Sequence, residues 1–234
     1  MISLDQVSKT YTQKGKLPVA AVSKVSLNIS EGEFMVITGR SGSGKTTLLN
    51  LAAGLAQPTS GQVHFGETDL WKLSDSQRSN LRNKKIGFVF QFPSLHSSLS
   101  VLENVLLPTL FLRGDEKILA SARAGKLLED VGLIDKITAY PRQLSAGQQQ
   151  RVVVARSLIN NPEVLLADEP TSNLDELSEQ EIIDLFQNIH ARRGITILLV
   201  THSGQIVTSA TRKVRMAGGL IVSNESLKEQ KPAQ

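Results

Sequence analysis

An α/β fold with an inserted helical lobe is predicted for this 234-residue chain by three observations. Short apolar runs at 34–37, 164–167 and 195–200 have the length and continuity of parallel strands buried on both faces. A glycine-rich loop follows the first run and leads into a helical stretch at 46–55. Residues 92–160 lack strand patterning and read as helices. One domain is expected, with an α/β core over about 1–91 and 161–222, a helical lobe over 92–160 and a polar tail over 223–234.

The elements follow in order. Ile2 and Leu4 alternate with polar residues, as do Val25, Leu27 and Ile29, which marks two half-buried strands joined through a loop at 14–18. Glu31-Gly32-Glu33 is a turn before the first buried strand. A strand at 86–90 follows a basic, polar stretch. In the lobe, 118–131 places Leu119, Ala122, Leu127 and Val131 at helical spacing. Residues 179–189 read as another helix, and Pro232 sits in a tail expected to fray.

Composition excludes several chemistries. There is no cysteine, which removes disulfides, thiolate nucleophiles and Cys-ligated metals. No apolar run approaches the roughly 18 residues that span a bilayer. The opening MISLDQVSK has neither a basic start nor an apolar core, so no secretory signal is expected. A formal net charge of +4 does not by itself point to nucleic acid or membrane.

Gly39-Arg40-Ser41-Gly42-Ser43-Gly44-Lys45-Thr46 matches G-x-x-x-x-G-K-[ST] between a strand and a helix. Glycines let backbone N–H groups wrap phosphates, and the helix start adds a positive dipole end. Lys45 is expected on the β- and γ-phosphates of ATP, and Thr46 on Mg²⁺, with Thr47 beside it. Asp168 ends a buried parallel strand, where ligands collect in open α/β sheets. It is read as holding Mg²⁺ through water, or else as a helix cap. Glu169 follows and is placed to polarise the attacking water. Ser145 and Gln148 form an S-x-x-Q capping box ahead of Val152, Val153 and Ala155. Such a helix start offers free N–H groups to an anion.

Leu144-Ser145-Ala146-Gly147-Gln148 resembles LSGGQ, the signature of the ATP-binding cassette (ABC) ATPases, with Ala146 in the third place. Gln91 after its strand resembles the family's Q-loop glutamine, Ser172-Asn173-Leu174-Asp175 its D-loop, and His202 its switch histidine. Tyr11 resembles the aromatic that stacks on adenine; ordinary packing is its other reading. The resemblance implies a P-loop NTPase of the ABC type, with a mixed core sheet and an N-terminal antiparallel β portion. It implies a head-to-tail homodimer in which Ser145, Gly147 and Gln148 of one copy close over ATP on the loop of the other. It also implies that Gln91 touches the metal and reports the γ-phosphate to the lobe, and that His202 orients Glu169 and the water.

Three classes within the family are open: the ATPase of a membrane transporter or membrane-coupled machine, a DNA-repair ATPase, and a cassette protein of translation. Only 145 − 45 = 100 residues separate Lys45 from Ser145, too few for a long coiled coil. One phosphate loop is present, where ribosome-acting relatives carry two. The transporter reading therefore leads, with an integral membrane permease as partner, no nucleic acid, and a peripheral place on the cytoplasmic face of the inner membrane. The opening 2–11, the phrase Leu102-Glu103-Asn104-Val105 with Leu107-Pro108, and 144–151 look like the lipoprotein-release, macrolide-export and antimicrobial-peptide-resistance subgroup. The apolar segment from Phe92 to Pro108 reads equally as a docking groove for the permease and as lobe core.

Overall fold

The computed structural model describes residues 1–15, 17–110, 115–208 and 210–227. In chain order its elements are β1 (Ile2–Tyr11), β2 (Val19–Ile29), β3 (Phe34–Thr38), α1 (Lys45–Ala52), β4 (Ser60–Phe65), β5 (Thr68–Asp69), α2 (Asp75–Lys85), β6 (Ile86–Val89) and α3 (Val101–Leu106). They continue with α4 (Asp115–Asp130), α5 (Ala146–Leu158), β7 (Val164–Asp168), α6 (Glu176–Arg193), β8 (Thr196–Val200), α7 (Gly204–Val207), β9 (Arg212–Ala217) and β10 (Leu220–Ser226). They group into two compact units, one running up to Arg82 and resuming at Gly194, the other spanning Asn83–Arg193.

The first unit holds an antiparallel sheet in the order β2-β1-β4-β5 and a mixed run in the order β10-β9-β3-β8. β3 lies parallel to both neighbours, with Phe34 opposite Ile197 and Thr38 opposite Arg215. Phe34, Met35, Val36 and Ile37 are buried, as are Ile197, Leu198, Leu199 and Val200, because this strand pair is covered on both faces. β1 and β2 bury alternate residues instead, Ile2 and Leu4 against Val25, Leu27 and Ile29. α1 turns Leu48, Leu49 and Leu51 into this core.

The second unit pairs β6 with β7 in parallel, Ile86 opposite Val164 and Val89 opposite Ala167. Helices α3, α4, α5 and α6 pack with them, α5 lying against each of the other three. The lobe expected over 92–160 thus shares a unit with β6, β7 and α6.

Several expectations change in detail. α1 stops at Ala52, short of 55, because Gly54 adopts φ 63 and ends the turn. α6 is longer than 179–189 at both ends. The buried stripe of α4 is Ala120, Ala124, Leu127, Leu128 and Val131; Leu119 and Ala122 face outward. Two candidate stripes shared the helical period, and only packing chose between them. β10 carries the chain to Ser226, past the expected core limit at 222, by pairing Ser226 with Arg212. The rest of the expected polar tail, 228–234, lies outside the described residues.

Candidate functional site

The phosphate loop leaves β3 in a path that only glycine allows. A Cβ on Gly39 (φ 154) would lie 2.4 Å from the carbonyl oxygen of Met216, and one on Gly44 (φ 101) 2.2 Å from that of Ala21. The Ser43 N–H donates to the Arg40 carbonyl at 3.1 Å, and the Leu48 N–H to Gly44 at 2.9 Å, which starts α1 directly behind the loop. Lys45 is buried, and its Nζ donates to the carbonyls of Gly39 (2.9 Å) and Arg40 (3.2 Å). The ammonium is therefore held over the loop before any ligand arrives. Ser43 Oγ is buried with no hydrogen-bond partner, an orphan polar atom inside the cradle. Thr46 is exposed on the first turn, and Thr47 is half-buried.

A cleft of about 820 Å³ opens on this loop, lined by residues 38–43, His202 and residues 215–218. His202 is held there by the turn after β8. The buried Thr201 donates its N–H to Ile37 and accepts from the Ser203 N–H at 2.9 Å. Arg215 was not singled out by sequence reasoning, since no motif marks it. It enters the lining because its register partner on β3 is Thr38, the residue before Gly39. With Arg40 it makes the cleft cationic, which suits a polyphosphate. Tyr11 is not in the cleft's lining. It ends β1 at 45% exposure with Lys9 Nζ 5.1 Å from its ring centroid.

The second unit holds the other candidates. β7 is buried along its whole length and delivers Asp168, 8% exposed, at its end. Glu169 follows with φ 44, a left-handed backbone in a residue with a side chain, which costs about 1–3 kcal/mol and clusters at functional positions. Gln91 Nε2 donates to Ser172 Oγ at 3.3 Å, so the Q-loop and D-loop candidates touch. Asp175 accepts from the Ser178 N–H (2.9 Å) and Oγ (3.1 Å), and these bonds hold its carboxyl below the usual range. Among the described residues no three His, Asp or Glu side chains cluster to hold a metal. A hydroxyl on Thr46 and a carboxylate on Asp168 are still the hard oxygen donors that suit Mg²⁺, which keeps several waters.

The predicted capping box is present. Ser145 Oγ accepts from the Gln148 N–H (3.2 Å) and Gln148 Oε1 from the Ser145 N–H (3.0 Å), with Ser145 extended at φ −64, ψ 165. Gly147 packs where a Cβ would meet Ser178 Oγ at 2.7 Å. Further along α5, Gln150 Nε2 reaches the Phe90 carbonyl at 3.5 Å, and Arg156 donates to Ser94 O (2.7 Å) and Oγ (3.0 Å). Burial lowers the Arg156 pKa from its ordinary value. These bonds edge a second cleft of about 430 Å³ that includes Phe88, Phe90, Leu107, Pro108 and Asn160. The Phe88 and Phe90 rings stand 4.3 Å apart, and Phe92 is 66% exposed. Within the segment from Phe92 to Pro108, Val101 and Val105 thus belong to the core, and Leu107 and Pro108 line this cleft.

Residues 22–172 match the ABC transporter family. The chain belongs to that family. It is an ATP-hydrolysing ABC cassette, with the P-loop α/β architecture that the signature implied. The lipoprotein-releasing system ATP-binding protein LolD of Geobacter metallireducens is 41% identical over 96% of this chain and 99% of its own length. The macrolide export ATP-binding/permease protein MacB of Syntrophobacter fumaroxidans is 44% identical over 94% of this chain. The cassette spans only 31% of that relative's length. The dimeric, post-hydrolysis structure of the ATP-binding cassette MJ0796 with ADP and Pi superposes with a TM-score of 0.88 at 38% identity, covering 97% of this chain and 99% of that one. These relatives place the cassette in the lipoprotein-release and macrolide-export subgroup.

Proposed function

We propose that this cassette is a motor subunit in which two copies close head-to-tail over ATP and drive a separate integral membrane permease. The observation that carries the reading is a pair of anion-binding helix starts in one chain, α1 behind the phosphate loop and α5 behind Ser145. One ATP needs one phosphate cradle; the second helix start serves the ATP on the other copy.

Gly39, Arg40, Ser41, Gly42, Ser43 and Gly44 wrap the phosphates with backbone N–H groups, and Lys45 neutralises the β- and γ-oxygens. Tyr11 stacks on adenine. Thr46, Gln91 and Asp168 would hold Mg²⁺, which would supply further neutralisation of phosphate charge. Glu169 accepts the proton of the water whose oxygen bonds to the γ-phosphorus as the β–γ bridge breaks and ADP departs. His202 touches the γ-phosphate and keeps Glu169 and the water aligned. Ser145, Gly147 and Gln148 of the second copy cover the γ-phosphate, so loss of that group removes the tie between copies.

The aromatic cleft beside Ser94 is the place for the permease. It offers apolar surface to a short partner segment and includes Phe90, the residue before Gln91, so γ-phosphate loss and permease position share one stretch of chain. The cassette then sits peripherally on the inner face of the cell membrane. Co-reconstitution with a partner membrane permease should raise ATP turnover, and DNA or ribosomes should leave it unchanged. Stimulation by DNA or ribosomes without membrane association would return the choice to the soluble, non-transport class.

A further inference from the structure

A third cleft, of about 350 Å³, has no part in nucleotide chemistry. It is lined by Lys84, Lys85, Glu116, Leu119, Arg123 and Asn160, with Asn161 at its edge. Lys84 is exposed, and among the described residues it makes no ion pair. Lys85 is paired with Glu163. Arg123 donates Nε to the Ile159 carbonyl, and its guanidinium forms no ion pair among the described residues. Glu116 tempers this charge without cancelling it, and Lys117 adds to it on the next residue of α4. The same helix turns apolar residues outward here: Ile118 is 72% and Leu119 62% exposed. Adjacent cations and exposed aliphatics on a helix are the composition of a membrane-interface segment. Asn160 lines both this cleft and the aromatic cleft beside Ser94, so the two adjoin.

We infer that this cleft takes the phosphate headgroup of an anionic phospholipid, with Lys84 and Arg123 on the phosphate and Ile118 and Leu119 entering the acyl boundary. The placement rests on the permease reading, because a permease docked in the adjoining cleft brings this surface to the bilayer. The chemistry does not rest on it, since the cations and the apolar pair are present in the isolated chain. The contact would orient the cassette under its permease and make turnover sensitive to lipid charge.

The test is flotation of the purified full chain with phosphatidylcholine vesicles, with and without phosphatidylglycerol. A basic residue near an anionic surface contributes roughly fivefold in partitioning. Lys84→Glu should therefore weaken binding to the anionic vesicles by about 25-fold, and Glu116→Gln should strengthen it by about fivefold. Ile118→Ser with Leu119→Ser should weaken it as well, with ATP turnover unchanged in all three variants. Equal binding to neutral vesicles, or indifference to Lys84→Glu and Glu116→Gln, overturns the inference. So does full competition by inorganic phosphate combined with indifference to the apolar double variant, which marks a free-anion site. Permease co-purification is scored separately. Its loss with vesicle binding intact removes the docking reading alone, and its retention with vesicle binding absent removes this inference alone.

Discussion

The phosphate loop and the segment that follows Gln91 do their work with opposite materials. The loop is built from backbone: Gly39 and Gly44 have no room for a Cβ, and Lys45 is fixed by two carbonyls of its own loop. The segment from Phe90 to Ser94 is built from side chains supplied elsewhere, with Gln150 and Arg156 of α5 holding Phe90 and Ser94. A backbone device confines its residue types, so its sequence can be recognised. A side-chain device tolerates many solutions, so its parts carry no motif. The same contrast separates which substitutions stop the chemistry from which disconnect it.

Breaking the loop has the largest expected effect. Lys45→Ala should abolish measurable steady-state ATP turnover while circular dichroism stays near wild type, because the substitution removes a phosphate ligand and two loop hydrogen bonds and leaves the apolar core intact. Ordinary turnover in that variant would refute the loop's role. Next is Glu169→Gln, which keeps shape and hydrogen bonding but cannot accept the proton. A lost general base lowers the rate by roughly 10²–10⁴-fold, read from single-turnover hydrolysis with nucleotide binding retained. Wild-type turnover would place the base elsewhere.

A smaller change sharpens the comparison at its weakest point, Tyr11, which lies outside the cleft's lining. Stacking of a base on an aromatic is worth about 1–3 kcal/mol. Tyr11→Ala should raise the Kd for ATP by roughly 5- to 150-fold, with Tyr11→Phe close to wild type. An unchanged Kd in the alanine variant assigns Tyr11 to packing. The smallest effect on basal chemistry is expected at the side-chain device. Arg156→Ala removes two hydrogen bonds from a charged donor, each worth about 1.5–3 kcal/mol at most. Basal turnover should change little and permease stimulation should be lost. Retained stimulation would show that α5 does not grip the docking segment in any way that matters.

This contrast also explains what was legible in advance. The buried strands β3, β7 and β8 were readable because continuous apolar runs have few other uses. The Ser145 cap was readable because its hydrogen bonds are local, between residues three apart. β9 and β10 were not, since residues 212–226 set only the short apolar runs Met216-Ala217 and Leu220-Ile221-Val222 among charged and polar residues and pair only across a tertiary register. Arg215 reached the cleft through that register, and no local pattern carries it. Helix α4 was placed, yet its stripe was misread at Leu119 and Ala122, because the period fits two faces and only the packed neighbours choose. Glu169 was found by its position after Asp168, while its left-handed backbone is visible only in three dimensions.

The central claim is that each ATP is shared between two copies, held by the loop of one and covered by Ser145 of the other. Glu169→Gln isolates that claim, because slow hydrolysis leaves ATP in both sites. Size-exclusion chromatography with light scattering, run with Mg-ATP, should show a dimer for Glu169→Gln and mostly monomer for the wild type. Adding Ser145→Arg to Glu169→Gln should return the monomer. A Glu169→Gln protein that binds ATP to saturation, fails to hydrolyse it and stays monomeric would contradict the shared site.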